Sequence, residues 1–351
     1  MPYHLIIKEF PFFDNMRKFL VFILKNSEIV LYFYNLFYRL KNKANYYSEN
    51  ERRQNLSMFD YKALAQPIPY YPKDKVRDTN YYGYAREIKK YACVDKINAL
   101  MEHGLFLGNR VLTAEGYRTT RSILTMSQNR VDSIKQHGVN KPIVAIGPYI
   151  HYADPFLNEE EFKSLKKELG RILLVMPVHA AKGYIVNYNH KLMLDFIDKI
   201  KNEYDTVMVC IHFRDVLNNP ECVADYEEKG YKVVSAGNEY DYNFVRRLKS
   251  IILLADYVIS NNHGSNTGYC LYLGKPQTIV YDKDLTKKGY AYYTDEAKKI
   301  RDAQVKEIEE AFSEYSPEIT DYQRQVIEKY WGLSLIKSPE ELREALKTLN
   351  K

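Results

Sequence analysis

The sequence predicts an α/β protein of two layered domains, and three observations carry that reading. Short apolar runs of four to eight residues recur through the second half of the chain, separated by stretches with helical spacing. This alternation is the pattern of a parallel sheet covered on both faces. Glycine closes helical stretches at Gly138 and Gly170, where a helix C-terminus favours it. The 351 residues, 46% hydrophobic and 27% charged, suffice for two cores and exclude compositional disorder.

Residues 1–80 read as a helical extension. Phe19–Leu24 and Ile29–Leu40 are apolar, but Lys25-Asn26-Ser27-Glu28 divides them, and a membrane span needs ~20 predominantly apolar residues. Nine basic and five acidic side chains fall within residues 1–53, so most of the net charge of +6 lies there. Two readings stay open. The segment lies in a membrane interface, with aromatic rings at headgroup depth and basic groups on phosphates; or these are ordinary helices whose apolar faces join the core. Met1–Phe13 lacks a basic start and a small-residue cleavage site, so no secretory leader is expected.

Leu64–Asn80, with Pro67, Pro69 and Pro72, reads as an irregular connection. Residues 81–168 form the first domain. It is expected to hold a helix over Tyr84–Glu102, strands over Ser122–Ser127 and Pro142–Gly147, and helices over Asn129–His137 and up to Gly170. Residues 169–300 form the second. Its strands are Arg171–Val178, Thr206–Phe213, Tyr231–Ser235, Tyr257–Asn261 and Gln277–Tyr281, with helices between them, the order of a doubly wound sheet. Residues 301–351 read as charged helices, the last started by Ser338 with Pro339 at its first position.

In open parallel sheets ligands bind at the carboxyl ends of the strands. Those ends carry His179, then His212 with Arg214, then Asn262-His263-Gly264-Ser265-Asn266. Three of the eight histidines therefore share one rim. The strand running into Gly264-Ser265 and then a helix places backbone N–H groups where phosphate binds. It is equally the pattern of a plain turn with Gly264 for tight geometry and Ser265 as the helix cap. A second cluster holds His103-Gly104, Arg110, His151 and Asp154. His103 follows a helix and precedes glycine, a position that presents an imidazole to a cleft as a general base or leaves it an ordinary surface residue. His151 and Asp154 are open to the same two readings.

Several classes are excluded. Cys93, Cys210, Cys222 and Cys270 form no CxxC pair, so neither a zinc ribbon nor a disulfide framework is expected, and a reducing cytoplasm fits. No Walker loop, GxGxxG, HExxH or GxSxG occurs. No cluster has metal-ligand spacing. The mild basic excess is concentrated near the N-terminus without an RNA-binding motif, against a nucleic-acid partner.

The order of His103-Gly104, Ile123–Ser127, Ile146–Tyr149, then LLVMPVH, VCIHF, LLADYVISNNHGS and LGKPQTIVYD resembles the GT-B glycosyltransferases of bacterial surface-polysaccharide synthesis. It is most similar to the branch of the CDP-glycerol glycerophosphotransferases. The resemblance spans about residues 100–285 and implies two Rossmann-like domains, a nucleotide-sugar donor and no cofactor or metal. His103 would be the acceptor base; His212 and the Gly264–Asn266 turn would hold the donor's nucleotide and phosphates, with Arg214, Asn262 and His263 beside them as further donor-binding candidates. The acceptor implied is a hydroxyl of a capsule or lipopolysaccharide precursor, glycan or lipid-linked, at the inner face of the membrane. The sequence departs from the family at Asn261–Ser265. It also has Tyr269 about where UDP-sugar enzymes carry a ribose-binding glutamate, which favours a cytidine nucleotide. A nucleotide-sugar epimerase of the same architecture and a non-catalytic glycan- or partner-binding protein are the alternatives.

Overall fold

The computed structural model describes residues 16, 19–20, 22–23, 26–74, 76–179, 185–187, 189–283, 285–288 and 295–349. The start Met1–Phe13, and Arg17, Lys18 and Lys25 of the N-terminal segment, lie outside them. Two parallel sheets organise the chain, as the apolar runs predict.

The first sheet has three strands in the order β1-β2-β3: β1 Leu100–Met101, β2 Ile123–Thr125 and β3 Ile143–Ala145. The helix expected over Tyr84–Glu102 is shorter than the sequence pattern implies and ends at Ala92. Cys93 takes φ +52° and turns the chain out of the helix. The Asp74 carboxylate then accepts the Ile97 N–H at 3.3 Å, and the chain enters β1.

The second sheet is built from β4 Ile172–Met176, β6 Thr206–Cys210, β7 Lys232–Val234, β8 Tyr257–Ser260 and β9 Gln277–Ile279, in the order β7-β6-β4-β8-β9, all parallel. A separate antiparallel ribbon joins β5 Ile185–Asn187 to β10 Thr286–Lys288. Every residue of β4 is buried, as a central strand covered on both faces requires. Met176 pairs with Ser260, and Ser260 with Ile279, so these strands end level with one another. The chain order reverses between β4 and β8, which puts a crevice at their carboxyl ends.

The chain finishes in helices Asp295–Phe312, Asp321–Trp331 and Pro339–Leu349. They fold back across both domains: the Arg343 guanidinium donates to the Ala92 carbonyl and the Ser122 hydroxyl to the Leu349 carbonyl. Trp331 is fully buried against Gly268 of the helix Ser265–Tyr272. A Cβ at Gly268 would lie 2.1 Å from the indole, so glycine is what lets the two helices meet.

The long helix Glu28–Gln54 is capped by Ser27, whose hydroxyl accepts the Val30 N–H. Its inward face, including Asn50 and Arg53, is fixed to the second domain. Asn50 accepts the Tyr242 N–H at 3.0 Å, and the Arg53 carbonyl accepts from Arg247 at 2.6 Å. Its apolar residues divide between two faces: Leu31 and Tyr46 are buried, whereas Ile29, Phe33, Phe37 and Leu40 are exposed, so the reading that the apolar residues join the core holds for the first pair and not for the outer stripe.

Candidate functional site

A cleft of about 530 Å³ opens between the two sheets, within the roughly 300–1,000 Å³ typical of small-molecule sites. Its floor is made by the residues that follow β4, β6, β7 and β8. Its other wall is the loop His103–Arg110 leaving β1, with Tyr82 and Tyr84 beside it.

The strand ends place their side chains in order. His179 follows β4 and His212 follows β6, and their rings stack with centroids 3.9 Å apart and planes at 15°. The His212 Nδ1 accepts the Arg214 N–H at 3.3 Å and caps the helix Phe213–Asn218. A ring whose Nδ1 accepts carries its proton on Nε2. That Nε2 is buried and meets no hydrogen-bond partner among the described residues. Burial, then the neighbouring His179 and Arg214, holds His212 well below the ordinary histidine range. It is therefore a neutral N–H donor at neutral pH.

After β8, Asn262, His263, Gly264, Ser265 and Asn266 all line the cleft. The cap of the helix Ser265–Tyr272 is Gly264, not Ser265. Gly264 is in extended backbone, so no tight left-handed turn requires it. Thr267 accepts the Gly264 N–H at 3.2 Å. Ser265 is thus the first helical residue, and its hydroxyl reaches across the cleft to accept the Leu105 N–H at 3.0 Å. The first N–H groups of a helix have no acceptor within it, and those of Ser265 and Asn266 form this end.

His103 is exposed at the mouth, ringed by Tyr81, Tyr82 and Phe106 with centroids 5.3, 6.4 and 5.7 Å away. The residue before it, Glu102, turns inward. Arg130 donates to Glu102 at 2.9 Å and to Glu115 at 2.6 Å, and also holds the Arg110 carbonyl at 2.7 Å. Burial raises Glu102, but the Arg130 charge and the hydrogen bonds outweigh it and hold the carboxyl low. Burial, then Glu102, pushes Glu115 up to about 8. This buried trio fixes both ends of the His103–Arg110 loop.

Three sequence candidates stand elsewhere. The Arg214 guanidinium is drawn off to Glu239 at 2.6 Å and does not line the cleft. His151 contacts the hydroxyls of Tyr272 and Tyr91, and Asp154 pairs with Lys90; the two residues form no unit with the cleft. In their place the structure brings Lys298 and Arg301 from the helix Asp295–Phe312, together with Arg110. Gln304 of that helix accepts the Gly108 N–H at 2.6 Å, which holds it against the loop. The sequence signal for Lys298 and Arg301 is only their spacing of three, one face of a helix.

The charge of the lining decides what it suits. Four imidazoles and three Lys or Arg side chains face the cleft, and no Asp or Glu does among the described residues. Such a site favours an anion. Among the described residues no group of three His, Cys, Asp or Glu side chains is placed to hold a metal ion.

No family model and no curated protein matches the chain. Solved structures do. The Neisseria meningitidis UDP-GlcNAc 2-epimerase bound to UDP-GlcNAc is 12% identical, covering 76% of this chain and 72% of its own, with a TM-score of 0.34. The wall teichoic acid polymerase TagF is 15% identical over 73% of this chain and 68% of its own, TM-score 0.39. The S. aureus MnaA–UDP structure is 11% identical over 86% and 80%, TM-score 0.39. At these identities and scores the likeness assigns neither substrate nor residue roles.

Proposed function

We propose that the cleft binds a nucleotide-sugar and transfers its sugar to a hydroxyl of a surface-glycan precursor, residues 169–300 taking the donor and residues 81–168 the acceptor. The observation that carries this is the lining itself: cationic and imidazole groups and, among the described residues, no carboxylate, around the N-terminal end of the Ser265 helix.

The chemistry follows from placement. The acceptor hydroxyl gives its proton to His103 as its oxygen attacks the anomeric carbon. The bond from that carbon to the phosphate oxygen breaks, and the electron pair stays on the phosphate. The N–H groups of Ser265 and Asn266, the neutral His212 N–H, and Lys298 and Arg301 offset that charge. The chain's own groups supply the stabilisation. The sequence resemblance points to a cytidine nucleotide as donor; Tyr269 lines the cleft with its hydroxyl donating to Tyr84 at 3.2 Å, and the base, not the ribose that uridine and cytidine share, is what the screen below distinguishes. Among the described residues no carboxylate lines the cleft, which weighs against the epimerase alternative.

A thermal-shift screen with CMP, CDP, UDP, GDP and ADP tests the reading. A ligand that binds only the folded state stabilises it by about 2.7 kcal/mol at a hundredfold excess over its dissociation constant. A selective shift with one nucleotide supports the transferase. No shift with any of them moves the assignment to a non-catalytic binding protein of this fold.

A further inference from the structure

We propose that the outward face of the helix Glu28–Gln54 rests in the interfacial region of an anionic phospholipid membrane. Among the described residues, eleven of the fourteen large hydrophobic side chains that are exposed lie between Met16 and Tyr47. They are a local feature, not scattered surface residues.

On this helix Ile29, Phe33, Phe37 and Leu40 follow one another at spacings of four, four and three, which places them on one face. They are 71%, 61%, 57% and 75% exposed. The opposite face is occupied. Leu31, Asn35, Tyr46, Asn50 and Arg53 are buried, and the Asn50 and Arg53 contacts tie the helix to the second domain. The helix cannot turn its apolar stripe inward without losing them.

Charge selects the occupant. From Ile29 to Ser48 the helix carries Arg39, Lys41 and Lys43 and no acidic residue. Lys41 and Lys43 are exposed, and the Lys41 ammonium lies 5.8 Å from the Phe37 ring. Basic side chains flanking an aromatic stripe suit anionic headgroups over acyl chains. A second copy packed on the same face would bring Lys41 and Lys43 into an apolar interface, with no acid on that stretch to pair them. No helix among the described residues is long and apolar enough to cross a membrane, so the helix lies in the plane of the surface.

The helix is also joined to the cleft. Ring contacts run from Tyr38 to Tyr70 at 5.5 Å, to Tyr240 at 5.7 Å, to Tyr81 at 5.5 Å and to His103 at 5.3 Å. A membrane seat thus presents the His103 end to an acceptor hydroxyl carried on a lipid. This last step rests on the transferase reading; the membrane seat does not.

Cosedimentation of the full chain tests the seat, using vesicles of phosphatidylcholine alone and of phosphatidylcholine mixed with phosphatidylglycerol. Binding to the mixed vesicles is expected to be at least roughly tenfold stronger and to weaken with salt. Phe33→Ser with Phe37→Ser should abolish it. Lys41→Glu with Lys43→Glu should reduce it at least roughly tenfold with the apolar stripe intact. Unchanged thermal unfolding shows that both variants fold. Absent or equal binding to the two vesicle types overturns the proposal. So does a self-association that the Phe33→Ser, Phe37→Ser variant removes while no vesicle binding is seen. None of these readouts involves nucleotide or turnover, so their failure leaves the cleft assignment standing.

Discussion

The hydroxyl of Ser265 accepts the backbone N–H of Leu105 at 3.0 Å, and this bond joins the helix end of one domain to the His103 loop of the other. Gly104 allows the approach: a Cβ there would lie 3.3 Å from the Ser265 oxygen. Ser265→Ala leaves the Leu105 N–H without its acceptor, at a cost of about 1–3 kcal/mol if the group stays dry. Transfer should fall at least roughly tenfold. Ser265→Thr, which keeps the acceptor, should retain more activity than alanine. Steady-state rates of the two variants check this.

His103→Ala separates binding from chemistry. The ring sits at the mouth of the cleft, away from the Ser265 helix in sequence and on the opposite wall. Nucleotide affinity should stay within roughly twofold, while turnover falls by about a hundredfold or more. A variant that loses nucleotide binding in proportion to turnover would show a donor-binding role instead.

Gly268→Ala should destabilise the fold by about 1–3 kcal/mol, the usual range for overpacking. The added methyl meets the buried Trp331 indole. Trp331→Leu in the same chain should relieve the clash and cost less than the sum of the two changes. Urea unfolding of the four proteins measures the coupling.

The Arg130 trio makes stability depend on pH. Burial, then Glu102, raises the Glu115 carboxyl to about 8 from its ordinary value of 4.5. The folded state therefore holds a proton that the unfolded state releases. This stabilisation is full below about 4.5 and is lost as pH rises through about 8. Melting temperature should fall across that window, and Glu115→Gln should flatten the dependence.

The four cysteines should react unequally. The Cys222 sulfur lies 3.4 Å from His190 Nδ1, and His190 Nε2 lies 3.4 Å from Asp225. Cys222 also sits in the first turn of the helix Pro220–Glu228, beside a His190 that burial keeps neutral and able to take the thiol proton. Burial pushes Cys210 up to about 12 and also raises Cys270. With iodoacetamide at neutral pH, peptide mapping should find Cys222 labelled several-fold faster than the exposed Cys93 and no early labelling of Cys210 or Cys270. Equal rates at Cys93 and Cys222 would mean that His190 does not activate the thiol.

Much of the cleft could be read from local pattern. A parallel sheet sends all its carboxyl ends to one rim, so His179, His212 and Asn262–Asn266 could be placed together without knowing strand order. What failed depended on distant residues. Arg214 is claimed by Glu239, and His151 by Tyr272, 121 positions away. Lys298 and Arg301 enter only because the helix after the second sheet folds back over the first domain's loop. The end of the Tyr84 helix was hidden because its apolar spacing continues past Ala92, whereas the left-handed turn at Cys93 is a backbone event that a non-glycine residue does not announce. The N-terminal helix shows the converse: its apolar residues were visible, but which face the protein covers was not.

In the transferase reading the Ser265 helix end receives the phosphates of the nucleotide. The most direct test is a crystal structure of the protein soaked with the nucleotide that gives the largest thermal shift. Phosphate oxygens are expected within hydrogen-bond distance of the Ser265 and Asn266 N–H groups, with Lys298 or Arg301 closing on them. A nucleotide bound with its phosphates elsewhere in the chain, or an empty cleft at saturating concentration, would contradict that reading.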